Sequence, residues 1–170
     1  EVTYLFENSD AEAVVFHAAF VPLVESIRAN LPKVKRWYCV ADGTHAVPAW
    51  ATDYESLVSQ GIAESVRGPW GRSENDLMFL YTGGTTGMPK GVMWRHEDIF
   101  FAALSSALGA AISSPEEIGE RSLPVEFALP SLIIAPLMHG AAQWGMCNML
   151  FAGGSVVLYT GHGFDAHEIW

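Results

Sequence analysis

The chain has few charged residues, and positively charged ones are the scarcest. Of its 170 residues 16% are charged, with 9 Lys and Arg against 19 Asp and Glu, which gives a formal net charge of −10. A protein that binds nucleic acid usually carries a basic patch or stripe, so this balance argues against a nucleic-acid partner. Disorder is also disfavoured, because 50% of the residues are hydrophobic and can build a core.

Cysteine is nearly absent, with two residues in the whole chain. Cys39 and Cys147 do not have metal-ligand spacing. We therefore expect reduced, partly buried thiols in a cytoplasmic protein, and peripheral contact with a membrane is left open. The sequence starts at Glu1 without an initiator methionine or a signal peptide. We therefore expect both ends to be cut, because the start lacks a methionine and the C-terminal end falls within a predicted helix.

One stretch has no charged residues at all. Residues 127–164 contain no Asp, Glu, Lys or Arg, which meets the length criterion for a membrane span. However, prolines and glycines divide the stretch, and Gln143 and Asn148 interrupt its apolar surface. We interpret it as strand, helix and strand within an α/β core, whose parallel strands are buried on both faces. A transmembrane helix is the minor alternative.

Hydrophobic spacing and turn residues predict an α/β fold with a mostly parallel sheet flanked by helices. We expect helices over 1–8, 17–31, 54–60, 97–112 and 140–151, and another that begins after Asp165. We expect strands over 13–16, 37–40, 76–81, 91–94, 131–135 and 155–159. Residues 113–124 are polar and are interpreted as a flexible insertion. No linker divides the chain, so residues 1–170 are treated as one piece of a domain.

The most informative stretch is a glycine-rich loop after the apolar run 77–80. Residues 81–91 read Tyr-Thr-Gly-Gly-Thr-Thr-Gly-Met-Pro-Lys-Gly. Glycine amides, threonine hydroxyls and one lysine can together hold an anion, which predicts a phosphate loop. The loop of nucleotide triphosphatases is excluded, because Gly91 follows Lys90 where Ser or Thr is needed. The dinucleotide fingerprint is excluded too, because Thr85 stands where a second glycine is required. A mobile loop without a ligand is the alternative interpretation.

This loop resembles the signature motif of the adenylate-forming superfamily, which includes acyl-CoA synthetases, luciferases and peptide-synthetase adenylation domains. The usual spelling has serine where this chain has Gly83. The resemblance implies that ATP phosphates are bound by Thr82, Gly83, Gly84, Thr85, Thr86, Gly87 and Lys90. It also implies Mg²⁺, which enters with ATP, and coenzyme A as co-substrate. The chain is most similar to actinobacterial-type fatty-acyl-CoA synthetases.

A second motif, Pro-Leu-Met-His-Gly, occupies residues 136–140. In the superfamily a similar stretch borders the acyl pocket. The resemblance therefore implies that His139 lies near the substrate carboxylate, and that Gly140 and Ala141 leave volume for the acyl chain. Ordinary helix–sheet packing is the alternative for these small residues. Arg95 is a weaker candidate for a phosphate ligand, and a zinc site from His162 and His167 is disfavoured by their spacing.

The resemblance covers only part of a superfamily member, namely part of its N-terminal adenylation domain. The Tyr-Gly-x-Thr-Glu motif, the ribose-binding aspartate and the C-terminal domain have no counterpart here. We therefore expect the isolated chain to be inactive and its parent to activate a fatty acid with ATP for transfer to coenzyme A. Two alternatives stay open: an amino-acid or aryl-acid adenylation domain, and a non-catalytic fragment that keeps the fold.

Overall fold

The computed structural model describes residues 1–62, 68–83, 87–105, 112–121, 130–159, 161 and 163–169. These residues form two compact units. The first comprises Glu1–Gly71 and Tyr81–Gly91, and the second comprises Arg72–Leu80 and Val92–Trp170. The predicted α/β class, with parallel strands and flanking helices, is confirmed in both units.

The first unit contains a three-stranded parallel sheet in the order β1-β2-β3. Its elements are α1 (Val2–Asn8), β1 (Ala13–His17), α2 (Val21–Ile27), β2 (Arg36–Val40), β3 (Thr52–Asp53) and α3 (Tyr54–Ser59). The predicted β-α-β order is confirmed, although the predicted helix over 17–31 is α2 with a 3-10 turn on either side. Strand β3 was not predicted, since two residues are too short for a periodic signal.

The core of the first unit lies on one face of this sheet. Val14 and Phe16 of β1 are buried together with Trp37 and Cys39 of β2. The prediction of a strand buried over residues 13–16 is wrong for its other face, because Val15 is 56% exposed. Successive side chains of a strand point to opposite faces, so only alternate residues reach the core.

Two further strands flank the glycine-rich loop. Strand β4 (Leu77–Thr82) pairs with β5 (Lys90–Arg95) in a two-stranded sheet. The two strands predicted on either side of this loop are therefore present. The loop therefore begins and ends in regular structure, which fixes the positions of its ends.

The predicted helix over 97–112 is helical as far as Leu104, but it is not a single α-helix. Helix α4 (His96–Ile99) runs into a π-helical turn over Phe100–Leu104, and residues 106–111 lie outside the described residues. Asn148 donates a hydrogen bond to the carbonyl oxygen of Ala103, so a distant side chain satisfies a backbone group of this turn. Helix α5 (Glu117–Arg121) occupies part of the predicted insertion, where Glu117 accepts a hydrogen bond from the Ser113 amide at 3.0 Å. Residues 122–124 are also outside the described residues.

The second unit contains the predicted strand, helix and strand. These are β6 (Pro130–Ile133), α6 (Gly140–Phe151) and β7 (Ser155–Leu158), and β6 and β7 pair in parallel. Gly153 ends α6 with a φ of +82°, which favours glycine. Asp165 accepts a hydrogen bond from the His167 amide at 2.8 Å and so begins α7 (Ala166–Ile169).

Burial of these strands on both faces is not observed. Leu132 is 41% exposed and Val157 is 51% exposed. Among the described residues, no helix is both long and apolar enough to cross a membrane.

Candidate functional site

The glycine-rich loop begins where β4 ends and is closed by the first residue of β5. The Thr82 hydroxyl lies 3.5 Å from the carbonyl oxygen of Lys90, at the outer limit of a hydrogen bond. Thr82, Gly83, Gly87 and Lys90 are exposed, whereas Pro89 is buried. Pro89 therefore anchors the loop, while the residues predicted to contact phosphate remain open to a ligand.

Three of the predicted phosphate-binding residues, Gly84, Thr85 and Thr86, lie outside the described residues. Their roles stay predictions.

Two glycines of the loop differ in what they require. Gly87 has a φ of +117°, a backbone conformation that residues other than glycine rarely adopt. Gly83 does not have a positive φ, and a Cβ atom there would have no atom within 4 Å. Backbone geometry therefore demands glycine at position 87, but the structure leaves room at position 83 for the serine that is usual in the superfamily.

Lys90 and Arg95, at the two ends of β5, have different surroundings. Within the described part of the chain, the Lys90 ammonium group has no hydrogen-bond or ion-pair partner. The Arg95 guanidinium is held by Asn75 at 2.9 Å, Glu97 at 2.8 Å and Asp98 at 3.2 Å. Arg95 thus stabilises the chain around β5, which does not support the interpretation that it reaches a phosphate. Lys90 is the cation that is available to an anionic ligand.

His139 is the residue immediately before α6. Its amide donates to the carbonyl oxygen of Pro136 at 2.9 Å, and its own carbonyl accepts from Ala142 at 3.0 Å. The side chain is exposed and does not cap the helix. The imidazole therefore remains available to a ligand, while its backbone is fixed by the turn.

Gly140 and Ala141 begin α6 in different environments. A Cβ atom at position 140 would lie 2.7 Å from Leu80 Cδ2, so the helix starts in close contact with β4. Ala141 is exposed. The small size of Gly140 is thus used in helix–strand packing, whereas the surface next to Ala141 is open.

The structure brings the predicted site residues together in two sets. Thr82, Gly83, Gly87 and Lys90 belong to the first unit, and residues 139–141 belong to the second. Within the described residues, no cluster of three His, Cys, Asp or Glu side chains could hold a metal ion.

Sequence reasoning did not identify Asn8, at the end of α1. The Tyr81 hydroxyl, next to the loop, donates a hydrogen bond to Asn8 Oδ1 at 2.6 Å. The two residues are 73 positions apart, so no local pattern could have indicated the contact.

Among the described residues of the first unit, Asp42 has a strongly lowered pKa. Hydrogen bonds from the Thr44 hydroxyl and from the amides of Thr44 and Ala19 lower the pKa of Asp42 to about 2. His17 lies 3.7 Å from the same carboxylate. This cluster holds the segment after β1 against the segment after β2, since the carboxylate bridges both.

Comparison with known proteins gives relatives that cover nearly all of the chain or all of it. The family model described as AMP-binding enzyme matches residues 1–170. The chain is 38% identical over 164 residues to the medium-chain acyl-CoA ligase Mig of Mycobacterium avium, covering 94% of this chain and 29% of that ligase. It is also 38% identical over 179 residues to a 3-oxocholest-4-en-26-oate–CoA ligase of Rhodococcus rhodochrous, covering 100% of this chain and 31% of the relative.

Solved structures show the same fold. The anthranilate CoA ligase AuaEII, in complex with anthranoyl-AMP, superposes with a TM-score of 0.74 at 20% identity, over 99% of this chain and 30% of that protein. The N-terminal domain of FACL13 from Mycobacterium tuberculosis superposes with a TM-score of 0.67 at 22% identity, over 99% of this chain and 36% of that domain. Since the family model matches this chain over all of its 170 residues, the chain belongs to the AMP-binding enzyme family.

Proposed function

We propose that residues 1–170 are part of the N-terminal adenylation domain of an ATP-dependent acyl-CoA ligase. The observation that carries this proposal is the exposed Lys90 at the end of a glycine-rich loop between β4 and β5, whose ammonium group has no partner among the described residues. Support also comes from the relatives, which are named as acyl-CoA ligases and cover 94% and 100% of this chain. The chain spans 29% and 31% of the length of these two relatives, so it corresponds to only part of such an enzyme. The cytoplasmic location expected from the sequence is part of the same proposal.

The proposed reaction has two steps. A carboxylate oxygen of the acid forms a bond to the α-phosphorus of ATP, and the bond from that phosphorus to the bridging oxygen breaks. Pyrophosphate leaves with the electron pair, and an acyl-adenylate remains. The thiol of coenzyme A then attacks the acyl carbonyl, AMP leaves, and the thiol proton passes to solvent.

The loop would act on the first step by holding the β- and γ-phosphates. Negative charge develops on pyrophosphate as it leaves, so donors already oriented towards it stabilise the transition state. Thr82, Thr85, Thr86 and the amides of 83–87 would donate hydrogen bonds, and Lys90 would contribute a positive charge. Because the chain has a net charge of −10, Lys90 and the Mg²⁺ bound to ATP are needed to make the local field attractive.

The acid itself would lie near the start of α6. His139 is exposed there without a capping bond, and Ala141 borders open surface. The relatives named for medium-chain acyl groups and for a steroid acid support an aliphatic or steroid carboxylic acid rather than an amino acid.

The test is acid-dependent exchange of pyrophosphate into ATP by the full-length protein that contains this chain. A panel of fatty, steroid, aryl and amino acids is compared, and thioester formation with coenzyme A is measured in parallel. We expect exchange and thioester with fatty or steroid acids, and neither from residues 1–170 alone. Exchange with amino acids and no thioester would contradict the proposal. The absence of exchange together with no thermal protection by ATP would favour the non-catalytic alternative.

A further inference from the structure

One hydrogen bond connects the strand that leads into the glycine-rich loop with helix α1. The Tyr81 hydroxyl donates to Asn8 Oδ1 at 2.6 Å, a normal distance for this type of bond. Among the residues that the structure describes, no other hydrogen bond connects segment 81–91 to residues 1–71. This contact is therefore the polar attachment of the loop segment to the rest of the first unit.

The acceptor side of this contact is held in place. Phe6, two residues before Asn8, packs edge-on against Trp37 of the core with ring centroids 6.4 Å apart. The carbonyl oxygen of Phe6 accepts hydrogen bonds from the Ser9 hydroxyl at 3.3 Å and from the Ala11 amide at 3.1 Å. Asn8 is the last residue of α1. The Phe6–Trp37 contact holds this helix against the core, and the hydrogen bonds from Ser9 and Ala11 hold its C-terminal end.

The donor side is next to the loop. Tyr81 directly precedes Thr82, whose hydroxyl lies 3.5 Å from the Lys90 carbonyl oxygen at the other end of the loop. A displacement of Tyr81 therefore moves the first residue of the loop. A ligand-binding loop whose ends are already fixed loses less conformational freedom when its ligand binds, so fixing the ends strengthens binding.

From these contacts we propose that Asn8 and Tyr81 are positioning residues for the phosphate loop, acting through the backbone at Thr82. This inference rests on the proposed function, because it requires that the loop binds ATP. Asn8 is exposed, so the bond adds little to the stability of the fold compared with the buried core around Phe6 and Trp37. Loss of the bond should therefore affect ATP binding more than stability.

The experiment uses the full-length enzyme and measures ATP-pyrophosphate exchange together with the unfolding temperature. Tyr81→Phe removes only the donor, Asn8→Ala removes the acceptor, and Asn8→Asp keeps an acceptor oxygen. The matched control is Tyr54→Phe, because the Tyr54 hydroxyl has no hydrogen bond among the described residues.

We expect Tyr81→Phe and Asn8→Ala each to raise the KM for ATP about two- to tenfold, the range for one neutral hydrogen bond. The kcat and the unfolding temperature should stay close to those of Tyr54→Phe. The KM of the double variant should not exceed that of either single variant. Asn8→Asp, which keeps an acceptor oxygen, should have the KM of the parent enzyme. Effects that multiply in the double variant, or a KM equal to that of Tyr54→Phe, would overturn the inference.

Failure of this inference and failure of the proposed function give different results. If Lys90→Ala lowers exchange while Tyr81→Phe behaves like its control, the loop binds ATP without this support. If Lys90→Ala leaves exchange unchanged, the proposed role of the loop is wrong, and the positioning role fails with it.

Discussion

Gly140, the first residue of helix α6, packs against the Leu80 side chain of strand β4. A Cβ atom at position 140 would lie 2.7 Å from Leu80 Cδ2, closer than such atoms normally approach. Packing against the strand that leads to the loop therefore favours glycine at the end of the Pro-Leu-Met-His-Gly motif. The helix could not begin at this position beside β4 with a larger residue unless Leu80 moved.

The contact predicts opposite effects of alanine at two positions of the same helix. At Gly145 the nearest atom to a new Cβ would be Ile133 Cδ1 at 4.0 Å, an ordinary distance. Gly145→Ala should raise the free energy of unfolding by up to about 1 kcal/mol, because alanine favours the helix. Gly140→Ala should lower it by about 1 kcal/mol, since overpacking typically costs about 1–3 kcal/mol and helix propensity offsets part of that. Urea unfolding of both variants measures the difference, and equal effects would contradict the packing role.

The two loop glycines should also respond differently to serine. Gly83→Ser should leave stability unchanged, because no atom lies within 4 Å of the new Cβ. It should lower the KM for ATP about two- to tenfold if the added hydroxyl reaches a phosphate. Gly87→Ser should instead cost about 1–3 kcal/mol of stability, because its φ of +117° is strained for serine. Thermal unfolding and exchange kinetics test both variants. An unchanged KM for Gly83→Ser would show that the missing hydroxyl is not used.

Much of the fold follows from local sequence. Helix α6 has its predicted bounds, because Gly153 stops it with a positive φ that can be expected from the residue type. The π-helical turn over Phe100–Leu104 could not be predicted in this way. Asn148 donates a hydrogen bond to this turn from 45 positions away, a contact that no local pattern indicates. The exposure of Val15 and Val157 was also missed, because an apolar run does not show which face is covered.

For the candidate site too, the sequence indicates some features, while others depend on contacts between distant residues. The residue types of 81–91 indicate phosphate binding, and the structure adds that Lys90 is exposed while Pro89 is buried. The support from Asn8 depends on a contact across 73 positions, and the close approach of Gly140 depends on how a helix packs on a strand. Phosphate binding by this loop stays a prediction from the sequence, whereas the contacts that position the loop could be found only in the structure.

Asp42 should make the stability of the first unit dependent on pH. Its pKa is about 2 in the folded state, below the value of about 3.9 for an unfolded aspartate. The folded state thus binds fewer protons, so the stabilisation is complete above about pH 4 and is lost as the pH falls towards 2. Asp42→Asn should therefore unfold more easily than the parent at pH 7, and the difference should shrink between about pH 4 and pH 2.

A matched control for this prediction is Glu25→Gln, which removes one negative charge from an exposed side chain of the same unit. Among the described residues, Glu25 has no ion pair or hydrogen bond. Thermal unfolding between pH 7 and pH 3 is measured for all three proteins. A difference between Asp42→Asn and the parent that stays constant over this range would contradict the assignment.

Lys90 should be more important for adenylation than any other lysine of the chain. Charge-assisted contacts contribute roughly 1.5–3 kcal/mol, so Lys90→Ala should slow ATP-pyrophosphate exchange about tenfold to a hundredfold. Lys35→Ala is the control, because Lys35 is exposed, is paired with Glu12 at 3.4 Å and is not part of the loop sequence. Similar exchange rates for the two variants would mean that the loop does not depend on its lysine.

The most direct test of the account is titration of the full-length protein with Mg-ATP while the backbone amide signals of the loop are followed. Gly83, Gly87 and Lys90 report from the loop, and Gly43, on a turn after β2, serves as the reference. The account predicts that the three loop signals shift and saturate together while the Gly43 signal stays in place. Loop signals that do not move at ATP concentrations supporting exchange would contradict the claim that these residues bind the phosphates.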